Sequence, residues 1–344
     1  IREDVENPEP HCIMGCRMLA NSDIFKNISR IIRHHHIKHE DVENIQDDVM
    51  IQSHIIHLAD RVDILIDQNK FILGQKQDVK DKIMEKRKTV FHPVVCDAFI
   101  EVSNADIFWI EINNMTMEQL FNKIHIIEYN HLSKKQMMQF ALVVSRIIDF
   151  RSKFTASHSY TVGQLAQKIG NIIGFDKEKC IKLLIAGYFH DIGKIGIDPI
   201  YIDKPEPLSE EEFNQLKLHP YYTGQILGEL SSCDWFKDIV KWATHHHEKN
   251  DGSGYPFALK KDELSIEVIV IAFSDIISAL TENRPYRKGM NVKDALQIIG
   301  EKMAENLDPD IFLQIASHED EIDLIVKKCQ NESSEAYTQK ENQC

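Results

Sequence analysis

The stretch EKCIKLLIAGYFHDIGK, residues 178–194, decides the fold prediction. Apolar residues recur through it at helical spacing, and small residues among them allow a neighbouring helix to pack closely. Gly193 and Gly196 end this helix just past His190 and Asp191, so both polar side chains lie at its C-terminal mouth. Because helical periodicity dominates the rest of the chain and alternating strand patterns are nearly absent, we predict an all-α protein.

The adjacent residues His190 and Asp191 predict a metal site. Imidazole and carboxylate together suit iron, manganese or zinc, and a carboxylate can bridge two such ions. A single histidine on an apolar face is usually a hydrogen-bonded core residue, and for one motif alone we would prefer that interpretation. Several motifs in order favour the metal site instead. The further candidate ligands are His158, His219, His246, His247 and Asp275.

Asp275 is the most informative of these candidates on physical grounds. It lies in the run VIVIAFSDII, residues 268–277, which is apolar on nearly every side. A helix of that character is buried. An ionised carboxylate in such a place costs several kcal/mol, by order of magnitude, unless it is paired or bound to a metal. We therefore expect a cation beside Asp275.

These motifs resemble the HD-GYP family, a subgroup of the HD-domain phosphohydrolases. The resemblance covers about residues 149–317 and implies an HD-domain helical bundle. Its four clearest motifs are FTASHS at 154–159, HDIGK at 190–194, Gly254-Tyr255-Pro256, and Arg284-Pro285-Tyr286-Arg287. Ser278 departs from the family, which usually has a second aspartate there, directed towards the substrate.

The resemblance also implies a mechanism. Two divalent transition-metal ions, iron or manganese in first place and zinc, nickel or cobalt as alternatives, would be bridged by Asp191. The catalytic residues would be Asp191 and Lys194, with Lys194 facing the scissile phosphate. A metal-bridging hydroxide would attack phosphorus. One ion would also be held by His158, His190 and Asp275, and the other by His219, His246 and His247.

The substrate implied by the family is a cyclic dinucleotide, opened to the linear dinucleotide. Cyclic di-GMP is the first expectation, and 3′3′-cyclic GMP-AMP is the alternative. The residues predicted to bind it are Lys194, Gly254, Tyr255, Pro256, Arg284 and Arg287. Two other functions stay open: hydrolysis of a different nucleotide, and a non-catalytic module that senses nucleotide or docks a diguanylate cyclase partner. An intact ligand set favours the enzyme.

Composition limits the class of protein. The 344 residues, 43% of them hydrophobic, are enough for two domains. The formal charge of −14 argues against polymeric nucleic acid as a partner. No apolar run approaches the roughly 20 residues of a membrane span. Seven cysteines without framework spacing predict a reducing compartment, so we expect a cytoplasmic protein.

The first half of the chain carries a partial internal repeat of the second half. Its histidines and aspartate have the order and contexts of His219, His246, His247 and Asp275, but no His-Asp motif precedes them and no Gly-Tyr-Pro follows. We therefore predict a degenerate copy used for regulation or for dimer contacts. The corresponding residues are His11, His35, His36 and Asp60.

These observations give a domain prediction. Residues 1–103 form the degenerate HD-GYP-like domain, 104–150 connecting helices, 151–328 the catalytic HD-GYP domain, and 329–344 a disordered tail. Tandem helical domains joined by a long helix often pair, so a homodimer is the assembly that we expect.

Overall fold

The computed structural model describes residues 9–20, 22–42, 48–116, 119, 132–151, 157–204, 206–283 and 288–338. They divide into two compact units, one reaching Leu132 and the other spanning Ser133–Gln339. Within the described ranges every regular element is a helix, apart from two isolated β-bridges. The all-α prediction is therefore confirmed. No described helix is both long and apolar enough to span a bilayer.

The apolar core of the first unit is formed by residues between Leu58 and Trp109. Val79, Ile83, Cys96 and Trp109 are almost completely buried there. The indole Nε1 of Trp109 donates to the carbonyl of Ser103 at 2.8 Å, which satisfies the one polar group of that side chain. The helices of this unit are α1 (Glu9–Ala20), α2 (Lys26–His34), α3 (Asp48–Leu65), α4 (Ile72–Glu85), α5 (Pro93–Val102) and α6 (Asp106–Asn114).

The second unit is built around three mutually packed helices. Its helices are α7 (Lys134–Arg151), α8 (His158–Ile172), α9 (Lys177–Phe189), α10 (Pro199–Ile202), α11 (Glu210–Leu216), α12 (His219–Gly228), α13 (Asp234–Thr244), α14 (Ile266–Thr281), α15 (Val292–Lys302), α16 (Pro309–Ala316) and α17 (Glu319–Thr338). Helices α8, α9 and α14 contribute Leu165, Ile169, Leu183, Ile185 and Phe273, all with no exposed surface. The apolar run in α14 is buried, as its composition predicts.

Residues 178–194 fold as a helix followed by a tight turn. Asp176 caps α9 because its side chain accepts from the amide of Lys179 at 2.8 Å. The α-helix ends at Phe189, and Ile192–Gly196 form a 3₁₀ turn. His190 and Asp191 therefore lie where α9 ends, beside α12.

The structure places two boundaries differently from the sequence prediction. Helix α7 belongs to the second unit rather than to a separate connector, because Ala141 and Ile148 are buried in that unit's core. The final helix α17 continues to Thr338, so a disordered tail from 329 onward is wrong for the described residues up to 338. The amide of the Gln330 side chain donates to the carbonyl of Thr281 at 3.1 Å, and the hydroxyl of Tyr160 donates to Glu332 at 2.6 Å, so the start of this polar segment is held against the second unit.

Candidate active site

Three imidazole rings of the second unit are oriented by the same kind of backbone contact. Nδ1 of His190, His219 and His246 lies 2.8, 2.7 and 2.7 Å from the carbonyl oxygen three residues earlier in the chain. A carbonyl only accepts, so each Nδ1 carries the proton and each Nε2 presents a lone pair. The same second contact orients most metal-bound histidines. Nε2 of His219 lies 3.3 Å from Nε2 of His246, which leaves two lone pairs facing each other unless a cation lies between them.

Asp191 lies between two groups of histidines, with one carboxylate oxygen towards each. Its Oδ2 is 3.3 Å from Nε2 of His190 and 3.7 Å from Nε2 of His158. Its Oδ1 is 3.3 Å from Nε2 of His219. The side chain is almost fully buried. This is the arrangement that a bridging carboxylate requires.

Asp275 completes the side of the site that contains His158. Its Oδ1 lies 3.1 Å from Nε2 of His158, and its Oδ2 lies 3.8 Å from Nδ1 of His247. Three sets of ligand atoms in this site could each hold a metal ion: His219 with His246 and His247, His158 with His190 and Asp275, and His190 with Asp191 and His246. The structure thus brings together all seven residues that the sequence singled out as ligands.

The protonation of His219, His247 and Asp191 suits metal binding. Burial lowers the pKa of His219 to about 3 and that of His247 to about 4, so both are neutral at pH 7. Burial opposes ionisation of Asp191, but His190 and Lys194 outweigh it and hold the pKa of Asp191 well below its usual range. Neutral imidazoles and ionised carboxylates are the forms that coordinate a cation.

Lys194 lies at the rim of this cluster. Its Nζ is 2.5 Å from Oδ2 of Asp191, and its side chain is 24% exposed while that of Asp191 is 4% exposed. The ammonium group therefore lies beside a buried carboxylate, and the lysine side chain is still partly exposed to solvent, where an anionic ligand would approach.

The turn after Asp191 approaches α12 too closely for any residue but glycine. A Cβ on Gly193 would overlap the carbonyl oxygen of His219. The hydroxyl of Thr223 accepts from the amide of Gly193 at 3.1 Å and donates to the carbonyl of His190 at 2.9 Å. This contact holds the His-Asp pair against the helix that carries His219.

The Gly-Tyr-Pro loop folds back over the ligand cluster. The ring of Tyr255 lies 4.7 Å from the ring of His247, centroid to centroid, and its amide donates to the carbonyl of His247 at 3.2 Å. A Cβ on Gly254 would overlap the backbone of Glu248. Tyr255 thus forms a wall beside the proposed ligands. Arg284 and Arg287 lie outside the described residues.

Residues 142–311 match the family model for the HD domain. Together with the complete HDIGK and Gly-Tyr-Pro motifs around one ligand cluster, this match decides the family. The chain belongs to the HD-GYP branch of the HD-domain family.

Relatives of this HD-GYP chain act on cyclic dinucleotides, according to their names. 3′3′-cGAMP-specific phosphodiesterase 1 of Vibrio cholerae is 26% identical over 89% of this chain and 73% of its own length. 3′3′-cGAMP-specific phosphodiesterase 3 of the same organism is 38% identical, over 48% of this chain and 36% of its own. A cyclic di-GMP phosphodiesterase of Pseudomonas aeruginosa is 31% identical, over 46% of this chain and 38% of its own.

A solved structure of similar fold comes from V. cholerae. The crystal structure of a cyclic GMP-AMP-specific phosphodiesterase of V. cholerae aligns with a TM-score of 0.54 and 23% identity, over 90% of this chain and 71% of that one. At this identity the likeness extends to the fold alone.

The sequence did not predict the supporting role of three residues in the HD-GYP site. Ser278 lies 3.1 Å from Nδ1 of His158 and is buried, so it contacts a candidate ligand. Glu282 lies 3.8 Å from the same nitrogen. Glu248 has no exposed surface, and its carboxylate accepts from the amides of Phe257 and Leu259 at 2.7 and 2.9 Å.

A sequence signal existed for two of these residues. Ser278 follows Asp275 by three residues, which places both on one face of α14, and Glu282 follows by seven residues, directly after the end of that helix. Glu248 follows the histidine run directly, but an isolated glutamate predicts an exposed side chain, and only the folded loop supplies its two amide partners.

Proposed function

We propose that this HD-GYP protein is a metal-dependent phosphodiesterase that hydrolyses a cyclic dinucleotide to the linear dinucleotide. The observation that carries the proposal is the position of Asp191, whose two carboxylate oxygens are directed towards two different groups of imidazoles. The relatives named above support the substrate class. The number of ions, two, and the assignment of each ligand are part of the proposal.

The donor set fits transition metals. Neutral imidazoles, each with one nitrogen lone pair, and two carboxylates suit iron, manganese or zinc. Nickel and cobalt are alternatives. Such ions, when bound, supply hydroxide near neutral pH and stabilise charge on phosphoryl oxygens. The ligands proposed are those brought together in the structure: His158, His190, Asp191, His219, His246, His247 and Asp275.

The remaining roles concern the substrate. Lys194 combines a position beside Asp191 with access to solvent, and we assign it to the scissile phosphate. Tyr255, held over His247 by a loop that Gly254 and Pro256 shape, forms the wall of the substrate pocket. Arg284 and Arg287 are proposed from sequence alone to bind a phosphate or a guanine edge through their planar guanidinium groups.

The base preference deserves a direct test. Sequence alone put cyclic di-GMP first, whereas the two V. cholerae relatives described above are named for 3′3′-cyclic GMP-AMP. We therefore propose both substrates and expect the mixed one to be hydrolysed. A cytoplasmic location, a homodimer and a diguanylate cyclase partner stay predictions from sequence.

The test is turnover by the full chain reconstituted anaerobically with Fe²⁺ or Mn²⁺. Each cyclic dinucleotide is incubated with wild type and with Asp191→Ala, and the products are separated by chromatography. A linear dinucleotide that is absent with Asp191→Ala supports the proposal. No turnover of either substrate by metal-loaded protein would overturn it and favour another nucleotide or a docking module.

A matched pair of lysines tests the role of Lys194. Lys204 lies ten residues later and pairs with Glu212 at 2.6 Å, away from the ligand cluster. We expect Lys194→Met to lose most of the turnover and Lys204→Met to keep it, with metal content equal in both variants. Equal turnover in the two would remove Lys194 from the reaction.

A further inference from the structure

The first unit contains a second histidine cluster that the proposed phosphodiesterase does not use. His11 lies on α1, and His35 and His36 follow the end of α2. One ring nitrogen from each of the three lies within 4.8 Å of those of the other two. His35 is buried, His36 is half-buried and His11 is exposed, so the cluster is open to solvent on one side.

The geometry of this cluster repeats that of the catalytic histidines. Nε2 of His11 lies 3.3 Å from Nε2 of His35, the separation also found between His219 and His246. Nδ1 of His35 lies 2.6 Å from the carbonyl oxygen of Ile32, again three residues earlier. This contact fixes the proton on Nδ1, so that Nε2 of His35 presents a lone pair towards His11.

The two consecutive histidine rings in each unit also have similar relative positions. The centroids of His35 and His36 are 4.2 Å apart with an interplanar angle of 44°, compared with 4.0 Å and 45° for His246 and His247. Two successive imidazoles therefore turn in the same way towards a third ring. No such convergence would be required of histidines that only fill space in a core.

The charge state of these rings suits a cation. Burial lowers the pKa of His35, and it lowers that of His36 to about 4, so both rings are neutral at pH 7. The negative charge of Asp60, on α3, acts on both rings in the opposite direction. A carboxylate close to neutral imidazoles adds to the attraction for a divalent ion.

The residues of the cluster lie on segments that a bound ion could link. The buried apolar cluster of the first unit is formed by residues of α3 to α6, and none of its described members comes from α1 or α2. His11, the pair after α2, and Asp60 lie on three different segments. An ion held by them would therefore add a cross-link to the direct packing of α1 on α2 and of α2 on α3.

We propose that His11, His35 and His36 bind a divalent transition-metal ion in the first unit, separate from the catalytic ions, and that this ion holds α1 and α2 together, with the carboxylate of Asp60 nearby. The proposal goes beyond the phosphodiesterase function and does not depend on turnover. Three imidazoles with solvent on one side leave room for water as a further ligand.

The test counts ions bound by the full chain. Apo protein is titrated with Co²⁺ and, separately, with Zn²⁺, and the metal retained after desalting is measured in wild type, His11→Gln and His35→Gln/His36→Gln. We expect each variant to retain one ion per chain fewer than wild type. His11 is exposed, so its replacement leaves the core intact and keeps the result interpretable if the double variant unfolds.

His34→Gln is the matched control, since His34 stands next to the pair but contributes no atom to the cluster. It should retain as many ions as wild type. In a second readout, hydrogen exchange of residues 9–34 should slow on addition of Co²⁺ in wild type and in His34→Gln, but not in His11→Gln. Equal ion counts in wild type and His11→Gln, or exchange in this segment that ignores the metal, would overturn the proposal.

Discussion

The hydroxyl oxygen of Ser278 lies 3.1 Å from Nδ1 of His158. The same hydroxyl is 3.5 Å from the carbonyl of His158, so Ser278 contacts both the ring and the backbone of this residue. Nε2 of His158 lies 3.1 Å from Oδ1 of Asp275. A nitrogen and a carboxylate oxygen this close can share a proton or a cation, and Ser278 restrains the ring that presents the nitrogen.

Replacing Ser278 should therefore weaken metal binding without removing a ligand. We expect Ser278→Ala to lower the affinity for the ion held by His158 by about 10–100-fold, the usual effect of losing a partner of a metal-bound histidine. Competition with a coloured chelator measures it. Ser274→Ala is the control, because the hydroxyl of Ser274 donates to its own helix at Val270, 2.7 Å away. Equal affinities in the two variants would contradict the assignment.

Glu248 should prove essential to the Gly-Tyr-Pro loop. Glu248→Ala leaves the amides of Phe257 and Leu259 buried without an acceptor, so we expect the free energy of unfolding to fall by about 3 kcal/mol. The KM for cyclic dinucleotide should rise because Tyr255 loses its support. Urea unfolding and steady-state kinetics measure the two effects. Glu305→Ala, at an exposed glutamate of the same unit, should change stability by under about 0.5 kcal/mol.

Gly193→Ala should separate α12 from the His-Asp pair. The added methyl group would overlap the carbonyl of His219, so either the turn or the helix must shift. We expect loss of about 3 kcal/mol of stability and a lower metal content, because His219 is displaced. Gly228→Ala, at the other end of α12, meets nothing within 4 Å and should match wild type in metal content. Normal metal content in Gly193→Ala would show that the turn adapts.

The metal-free protein should lose stability as the solution is acidified below about pH 6.5. Burial lowers the pKa of His245 and of His247 to about 4 and that of His219 to about 3. Between these values and about 6.5, the ordinary pKa, unfolding takes up protons, so stability falls as the pH falls through that window. Urea unfolding of apo protein at pH 7, 6 and 5 measures the slope.

His245→Gln provides the control for this slope. His245 packs against Phe257 and is not among the proposed ligands, so its replacement leaves the metal site in place. The variant should take up about one proton fewer on unfolding near pH 5. A slope unchanged by the substitution would mean that His245 titrates normally in the folded chain.

The sequence did not predict two of the domain limits correctly. The apolar face of α7 predicts a helix correctly, but whether that helix connects two domains or joins the core of one depends on what packs against Ala141 and Ile148. The polar composition after Cys329 predicts disorder, while the stripe of Ile322, Val326 and Cys329 binds the helix to its neighbours. Composition averages over a segment, whereas burial depends on one face of it.

The sequence by itself determined the all-α class and the identity of the ligand candidates, because helical periodicity is local and the HDIGK and Gly-Tyr-Pro motifs are contiguous. Only the tertiary structure decided how their atoms face one another. The two oxygens of Asp191 reach different histidines, and Ser278 contacts a ring 120 residues away in the chain. Such contacts arise where α8 packs against α14 and where α12 packs against the turn after Asp191, and packing of distant segments leaves no periodic signal in the chain.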